Sequence, residues 1–428
     1  MQVSLFILTT TRLAAAWYFE SDFSSLRRIT VNTSRGKVTG FHYSQGSHNK
    51  GGQFYYGQSD VFLGIPYAQP PVGSMRFKFP RPVCDYGKGI NATEYKGVTR
   101  NFISRGVVLV VIQYRLGLLG HFTTYDMDFP ANLQTFDQLL ALRWVREEIN
   151  RFGGNQHKIT IFGQSSGSST VTQHSMSPLS QRLFDQTIAE SNGWQFYELA
   201  NKSMSIDRAQ QEIDSGAWGL SLDGFFFPDK PSKLAERRPN IPSMIGITKD
   251  EYATMIVTAH CHEMCFLWAY QYYWIPAQKE HLIRAEDVRM ADIAAEAWTN
   301  FAKNAKPRDD WEPVTSRETM EYMELNQIPK MREHFHDRAD TLFNGVVPAV
   351  LGEYPKETED PMWREYLERE YVPRIQKEYE KYLTCDHLRH MEGQNWVTGD
   401  EDEGDASAQF FSLSQFIIVV IASVFIIV

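Results

Sequence analysis

The pentapeptide Gly163-Gln164-Ser165-Ser166-Gly167 holds the residues of this 428-residue chain whose types and spacing most plainly could do chemistry. It follows the apolar, β-branched run Ile159-Thr-Ile-Phe162 and opens a stretch of good helix length. A G-x-S-x-G placed between a strand and a helix makes a turn so tight that only glycine fits on either side of the serine, which holds the hydroxyl out at the sheet edge. The pattern predicts Ser165 as a nucleophile. The N–H of Ser166, at the helix N-terminus, is expected to face the oxyanion formed when Ser165 attacks an acyl carbon. Glycine and serine also cluster in ordinary loops, so the pentapeptide takes its meaning from the strand before it and from the blocks on either side.

Those blocks are Phe62-Leu-Gly-Ile-Pro-Tyr-Ala-Gln-Pro-Pro-Val-Gly-Ser-Met-Arg-Phe77, Gln113-Tyr-Arg-Leu-Gly-Leu-Leu-Gly120, Ala131-Asn-Leu-Gln-Thr-Phe-Asp-Gln138 with Ala141-Leu-Arg-Trp-Val145, and Phe152-Gly-Gly154. Together with the pentapeptide they resemble consecutive blocks of the type-B carboxylesterase and cholinesterase family, from about Arg35 to about Pro348. The resemblance implies an α/β-hydrolase fold, a mostly parallel central sheet with helices on both faces, and hydrolysis of a small carboxylic ester through an acyl-enzyme. A serine hydroxyl needs a base within hydrogen-bond reach and a carboxylate to orient that base. Gly246-Ile-Thr-Lys-Asp-Glu-Tyr252 resembles the family's acid loop and implies Glu251 as the acid. Thr258-Ala-His-Cys-His-Glu-Met264 resembles its histidine loop, in which a His precedes a Glu by three positions, and this selects His260 over His262 as the base.

The chain departs from the family in three places, one of them a shortened region between Asn192 and Trp218. Only eight residues, 252–259, separate Glu251 from His260, where the family has a long run of helices and a strand. As a helix, that stretch would put the two side chains on opposite faces, roughly 13 Å apart along the axis; as an extended loop it could span up to about 30 Å and bring them together. At the oxyanion block, Pro82-Val83-Cys84 stands where the family has His-Gly-Gly. The backbone N–H groups of Val83 and Cys84 are the expected second donors, in a turn the family builds from glycine; losing one such donor typically costs about 10² to 10³ in rate. The strand preceding those glycines, a Glu-Asp-Cys-Leu block and the tryptophan that would stack on choline are missing, so the fold is expected to be incomplete relative to the family. Two functions therefore stand side by side: a serine ester hydrolase, or a catalytically silent, membrane-anchored cell-surface binding protein on the same fold, as neuroligin-like members are.

The elements that must position these residues follow from periodicity. Val107-Ile112 and His157-Phe162 read as buried strands, Phe136 to Phe152 as a helix closed by Gly153-Gly154, and Met244-Ile247 as the strand leading to the acid loop. Alternating strands and helices indicate a largely parallel sheet covered on both faces. With 43% apolar and 13% aromatic residues the chain can bury one large α/β core, expected over residues 17–353. The net charge of −9 comes without a Lys/Arg-rich stripe, which argues against a nucleic-acid surface. Residues 354–403 form a charged tail in which Trp363, Leu367, Tyr371, Ile375, Tyr379 and Tyr382 recur at helical spacing across Pro373, predicting a kinked amphipathic helix that either packs or pairs subunits into a homodimer.

Both ends suggest the secretory route. Residues 1–16 resemble a cleaved signal peptide, with a plain N-terminal strand as the alternative. Small residues at Gly404-Asp-Ala-Ser-Ala408, a spacer and the apolar run Phe416–Val428 have the layout of a GPI-attachment signal over 404–428, a short transmembrane anchor being the alternative. Sequons at Asn32, Asn91 and Asn201 agree with an extracellular, membrane-attached glycoprotein. His260-Cys-His-Glu-Met-Cys265 lacks H-E-x-x-H, so zinc is not expected, nor is any other cofactor. The four cysteines leave their pairing open.

Overall fold

Short, mostly apolar runs build the central sheet, and the run Thr160–Gln164 is buried throughout. In the computed structural model the residues described are 27–47, 54–62, 64–83, 96–191, 221–249, 251, 261–316, 318–335, 361–381 and 424–428. Strands β1 (Arg28–Thr33), β2 (Gly36–Ser44) and β3 (Gln58–Val61) form an antiparallel sheet, and β8 (Tyr322–Glu324) pairs with β9 (Lys330–Arg332). The principal sheet has the order β4-β10-β5-β6-β7, with β4 Leu109–Val111, β5 Thr160–Gln164, β6 Gln186–Glu190, β7 Ser243–Gly246 and β10 Val424–Ile427. β5, β6 and β7 are parallel, in registers that set Gln164 opposite Glu190 and Glu190 opposite Gly246. β10 is antiparallel to both β4 and β5.

Alternation along β5 divides its side chains between two layers. Phe162, with Ile188 and Met244 of the neighbouring strands, packs against helices α3 (His262–Leu267) and α4 (Ala285–Asn304) through Met264, Leu267, Trp298 and Phe301. Ile161 joins Leu142, Val145 and Val171, which belong to α1 (Leu133–Glu148) and α2 (Ser166–Met176) on the other face. The doubly covered sheet expected from the sequence is present. The helix expected over 136–152 runs as α1 and tightens into a 3₁₀ turn at Ile149–Phe152. Arg115 and Asp137, from two of the sequence blocks, form a buried bidentate pair: Nη2 donates to Oδ1 at 2.6 Å and Nε to Oδ2 at 2.8 Å. Sequence reading had not singled out either residue.

The tail and the anchor-like segment are described in part. The amphipathic tail forms α5 (Pro361–Tyr366), a π turn at Leu367–Tyr371 and α6 (Val372–Glu380). Proline near the start of α6 cannot donate to the carbonyl one turn back, and the widened turn accommodates it. Its apolar stripe, Trp363, Leu367, Tyr371, Ile375 and Tyr379, lies buried in the chain's own core against Tyr125, Phe136 and Phe226, so the packing role holds for these residues. Tyr382 lies outside the described residues, as do the signal-like segment, Asn91, Asn201, Cys84 and Cys385. Of the anchor-like segment 404–428, the described residues are 424–428, and Val424–Ile427 are a strand of the sheet rather than part of an apolar helix. Among the described residues no helix is long and apolar enough to cross a membrane.

Candidate active site

β5 delivers the chain into α2 through one residue. Ser165 has φ 57° and ψ −121°, a conformation that costs a non-glycine residue about 1–3 kcal/mol and persists only where its surroundings enforce it. Two backbone bonds do so: the Ser165 N–H donates to the Glu190 carbonyl at 2.9 Å, and the Ser165 carbonyl accepts from the Ser169 N–H at 3.1 Å. The turn closes on itself, because a Cβ at Gly163 would stand 2.5 Å from the Gly167 carbonyl carbon. This is the local geometry expected of the pentapeptide. Ser166 opens α2, so its N–H belongs to the first helical turn, whose donors have no partner within the helix and see the positive end of its dipole.

Three acidic side chains gather around this edge of the sheet. Glu190, at the end of β6, accepts from Trp298 Nε1 at 2.7 Å, while its other carboxyl oxygen is buried without a hydrogen-bond partner. Burial pushes this carboxyl up to about 8, the Glu263 charge adds to the rise, and the Trp298 bond works against it. Glu263, in the first turn of α3, accepts from Ser191 Oγ at 3.3 Å, and the Ser191 N–H donates to the Gly246 carbonyl at 2.7 Å. The acid-loop residue Glu251 accepts the Thr248 N–H at 2.6 Å, which folds the loop after β7 back on itself. Cys261 ties these pieces to the elbow. Burial pushes its thiol up to about 11, the charges of Glu263 and Glu251 add to the rise, and a hydrogen bond with the Gln164 side chain opposes it. Gln164 immediately precedes Ser165, so the acid loop and the first residues of α3 converge on the strand end that carries the nucleophile.

The sequence profile of the Carboxylesterase family matches residues 27–101 and 98–211, a span that contains the elbow. The matched part of the chain is similar to the carboxylesterase family. It is 36% identical over 299 residues to a pyrethroid hydrolase, Ces2e, of Rattus norvegicus, covering 47% of this chain and 52% of that one. It is 28% identical over 321 residues to gut esterase 1 of Caenorhabditis briggsae (53% and 55% covered) and 28% identical over 335 residues to carboxylesterase 1C of Mus musculus (54% and 59%). The chain thus spans about half the length of the curated relatives it matches. A solved PNB esterase superposes with a TM-score of 0.55 at 18% identity, over 72% of this chain and 98% of that one, and shows the α/β-hydrolase fold.

Within this α/β-hydrolase fold the expected residues fare differently. Ser165 and Ser166 occupy the elbow and the helix start. Glu251 sits on the turn after β7, at the edge that carries the elbow, and its charge acts on the Cys261 thiol. His260 and Cys84 lie outside the described residues; Cys261, which follows His260 in the chain, is the residue bonded to Gln164. Val83 is a correction. Its N–H points at the Tyr67 carbonyl at 3.4 Å and its carbonyl accepts from Arg35 Nη1 at 3.3 Å, so an edge bridge between Ala68 and Pro82 occupies the donor expected for the oxyanion. Another histidine, His174 on α2, is fully buried with Nε2 3.0 Å from Gln138 Oε1, and burial pushes it down to about 3, which leaves it a neutral tie between α2 and α1. Sequence reading missed Glu190 and Trp298. The one available signal was a carboxylate closing an otherwise apolar, buried strand, Thr187-Ile-Ala-Glu190.

Proposed function

We propose that the chain is a serine ester hydrolase acting on uncharged carboxylic esters. The single observation that supports this most directly is the strained Ser165 backbone, held by the Glu190 carbonyl and the close Gly163–Gly167 approach. Strain of this kind in a strand-to-helix turn has a use when it aims a nucleophile. Ser165 Oγ attacks the ester carbonyl carbon as His260 takes its proton, and the carbonyl oxygen becomes an oxyanion facing the Ser166 N–H. The imidazolium returns the proton to the departing alkoxide, leaving an acyl-enzyme and an alcohol. Water then attacks the acyl carbon with His260 again as base, and the carboxylic acid departs. Glu251 orients and stabilises the imidazolium. The charges of Glu263 and Glu251 near the elbow repel an anionic acyl group, which favours an uncharged ester. By the same reasoning they oppose the oxyanion, so with Val83 committed elsewhere turnover is expected to be slow for the family.

An organophosphonate probe tests the reading. The wild-type chain is expected to be labelled at Ser165, and Ser165→Ala to lose both the label and the hydrolysis of p-nitrophenyl butyrate. His260→Ala is expected to lose them too, whereas His262→Ala keeps them. Folded wild-type protein that takes no label would sink the hydrolase and leave the silent binding protein; equal loss in both histidine variants would remove the assignment of His260.

A further inference from the structure

The principal sheet contains one strand that runs the wrong way. β5, β6 and β7 share a direction, and β4 shares it too, since both β4 and β5 are antiparallel to β10. Four co-directional strands are therefore interrupted by a slot about two strand spacings wide, roughly 9.6 Å between β4 and β5. Val424–Ile427 fills it, with Phe425 opposite Val111 on one side and Phe162 on the other. The ladder continues one residue further: the Val428 N–H donates to the Val108 carbonyl at 2.9 Å and the Val108 N–H to the Val428 carbonyl at 2.8 Å. Among the described residues β4 has no other strand beside it. The family resemblance implies that one strand of the set is missing, and the sheet accepts a strand of opposite polarity from 260 residues further along the chain.

The occupant's chemistry suits the slot. Val-Phe-Ile-Ile is β-branched and aromatic throughout, the composition of a strand covered on both faces. It is also the end of the apolar run Phe416–Val428 that the sequence offers to a bilayer. The same residues cannot satisfy the β4 and β5 backbone groups and lie in lipid. The 42 residues between Lys381 and Val424 could reach about 150 Å if fully extended, so their length alone does not dictate this position for the strand.

We infer that the slot between β4 and β5 is a strand-acceptor site for Val424–Val428, and that a lipid surface competes with the sheet for this segment. Because β10 lies directly against β5, with Val424 opposite Gly163, withdrawing it loosens the strand that carries the elbow. The inference concerns the sheet and stands whether or not Ser165 is catalytic.

Hydrogen–deuterium exchange on the full chain reads it, with the Val108 and Val110 amides, which face the inserted strand, as reporter and the β6 amides Gln186–Glu190 as reference. The reporter is expected to exchange about a hundredfold or more slower than an open chain. That protection should be lost when phosphatidylcholine vesicles are added, while β6 keeps its own. A chain lacking residues 424–428 should lose it likewise, and a lysine-flanked peptide of the 424–428 sequence should restore it. Should the deletion unfold β6 as well, the peptide added during refolding must restore both regions; failure to do so overturns the acceptor site. An unprotected reporter beside a protected β6 in the wild-type chain, or protection unchanged by the deletion, also overturns it. Vesicles that do not bind the protein, or that bind it and leave the reporter protected, overturn the competition.

Discussion

The two strand ends that meet at the candidate site are built to different tolerances. At the end of β5 no atom can be added: Gly163 lies against Gly167, and Ser165 is held in a strained conformation by bonds at its N–H and its carbonyl. At the end of β7 a Cβ on Gly246 would meet nothing within 4 Å, and the exposed Ile245 and Ile247 flank it. The first region is fixed by backbone alone, and its geometry survives whatever side chains surround it. The second is fixed by side chains: Glu251 on the Thr248 N–H, Ser191 on Glu263, and Cys261 on Gln164. A chain that retains its elbow while the acid-to-histidine connection is shortened to eight residues shows which part of the machinery folds locally and which depends on a longer path.

The largest expected effect breaks the comparison at its stiffer side. Gly163→Ala places a methyl 2.5 Å from backbone that cannot move without unwinding the first turn of α2. It is expected to lower stability by about 3 kcal/mol or more and to abolish phosphonate labelling. Gly246→Ala, the same change at the looser end, is expected to fall within about 0.5 kcal/mol of wild type. Urea denaturation of both variants checks the pair; similar midpoints would show that the two strand ends are equally constrained.

The second effect sharpens the comparison through pH. The Glu190 carboxyl is raised in the folded chain to about 8 from an unfolded value near 4.5. A raised acid contributes stability fully present below the unfolded value and lost as pH climbs through the folded one. The wild-type chain should therefore lose on the order of a few kcal/mol between about pH 4.5 and pH 8 relative to Glu190→Gln, which cannot ionise and keeps an acceptor for the Trp298 N–H. Parallel stability profiles for the two proteins across that range would refute the burial of this carboxylate.

Much of the stiff region was legible because its signals are local. A β-branched run, a G-x-S-x-G and a helical stripe announce β5, the elbow and α2 within eighteen residues, and the elbow's backbone bonds then follow from sterics. Around the softer region the decisive partners are far apart in sequence. Glu190 is buried because Trp298, more than a hundred residues away, covers it, and no window of sequence contains both. Val83 reads as a donor from its place in a block, yet which carbonyl its N–H meets depends on how the Ala68–Pro82 bridge closes. Val424–Ile427 fits an anchor and a strand equally well by composition; only the vacancy beside β5 distinguishes them, and a vacancy is a property of the assembled sheet.

The smallest expected effect probes the charge that the softer region concentrates. With its thiol pushed up to about 11, Cys261 carries very little thiolate at pH 8, and iodoacetamide should alkylate it about a hundredfold more slowly than an unperturbed thiol. Burial is the larger cause and Glu263 the next, so Glu263→Gln should raise the rate several-fold without matching a free thiol. Peptide mapping of the alkylated chain separates Cys261 from Cys265, whose thiol is raised by the same two causes. The experiment reaches past the cysteine. The Glu263 part of the shift, which disfavours a thiolate, favours a cation nearby, the imidazolium charge a triad base must carry while the alkoxide leaves, whereas the burial part disfavours either charge. If Cys261 reacts as fast as a free thiol, or if Glu263→Gln leaves its rate unchanged, the acidic surround is too well solvated to support that imidazolium, and only the elbow remains as a functional element.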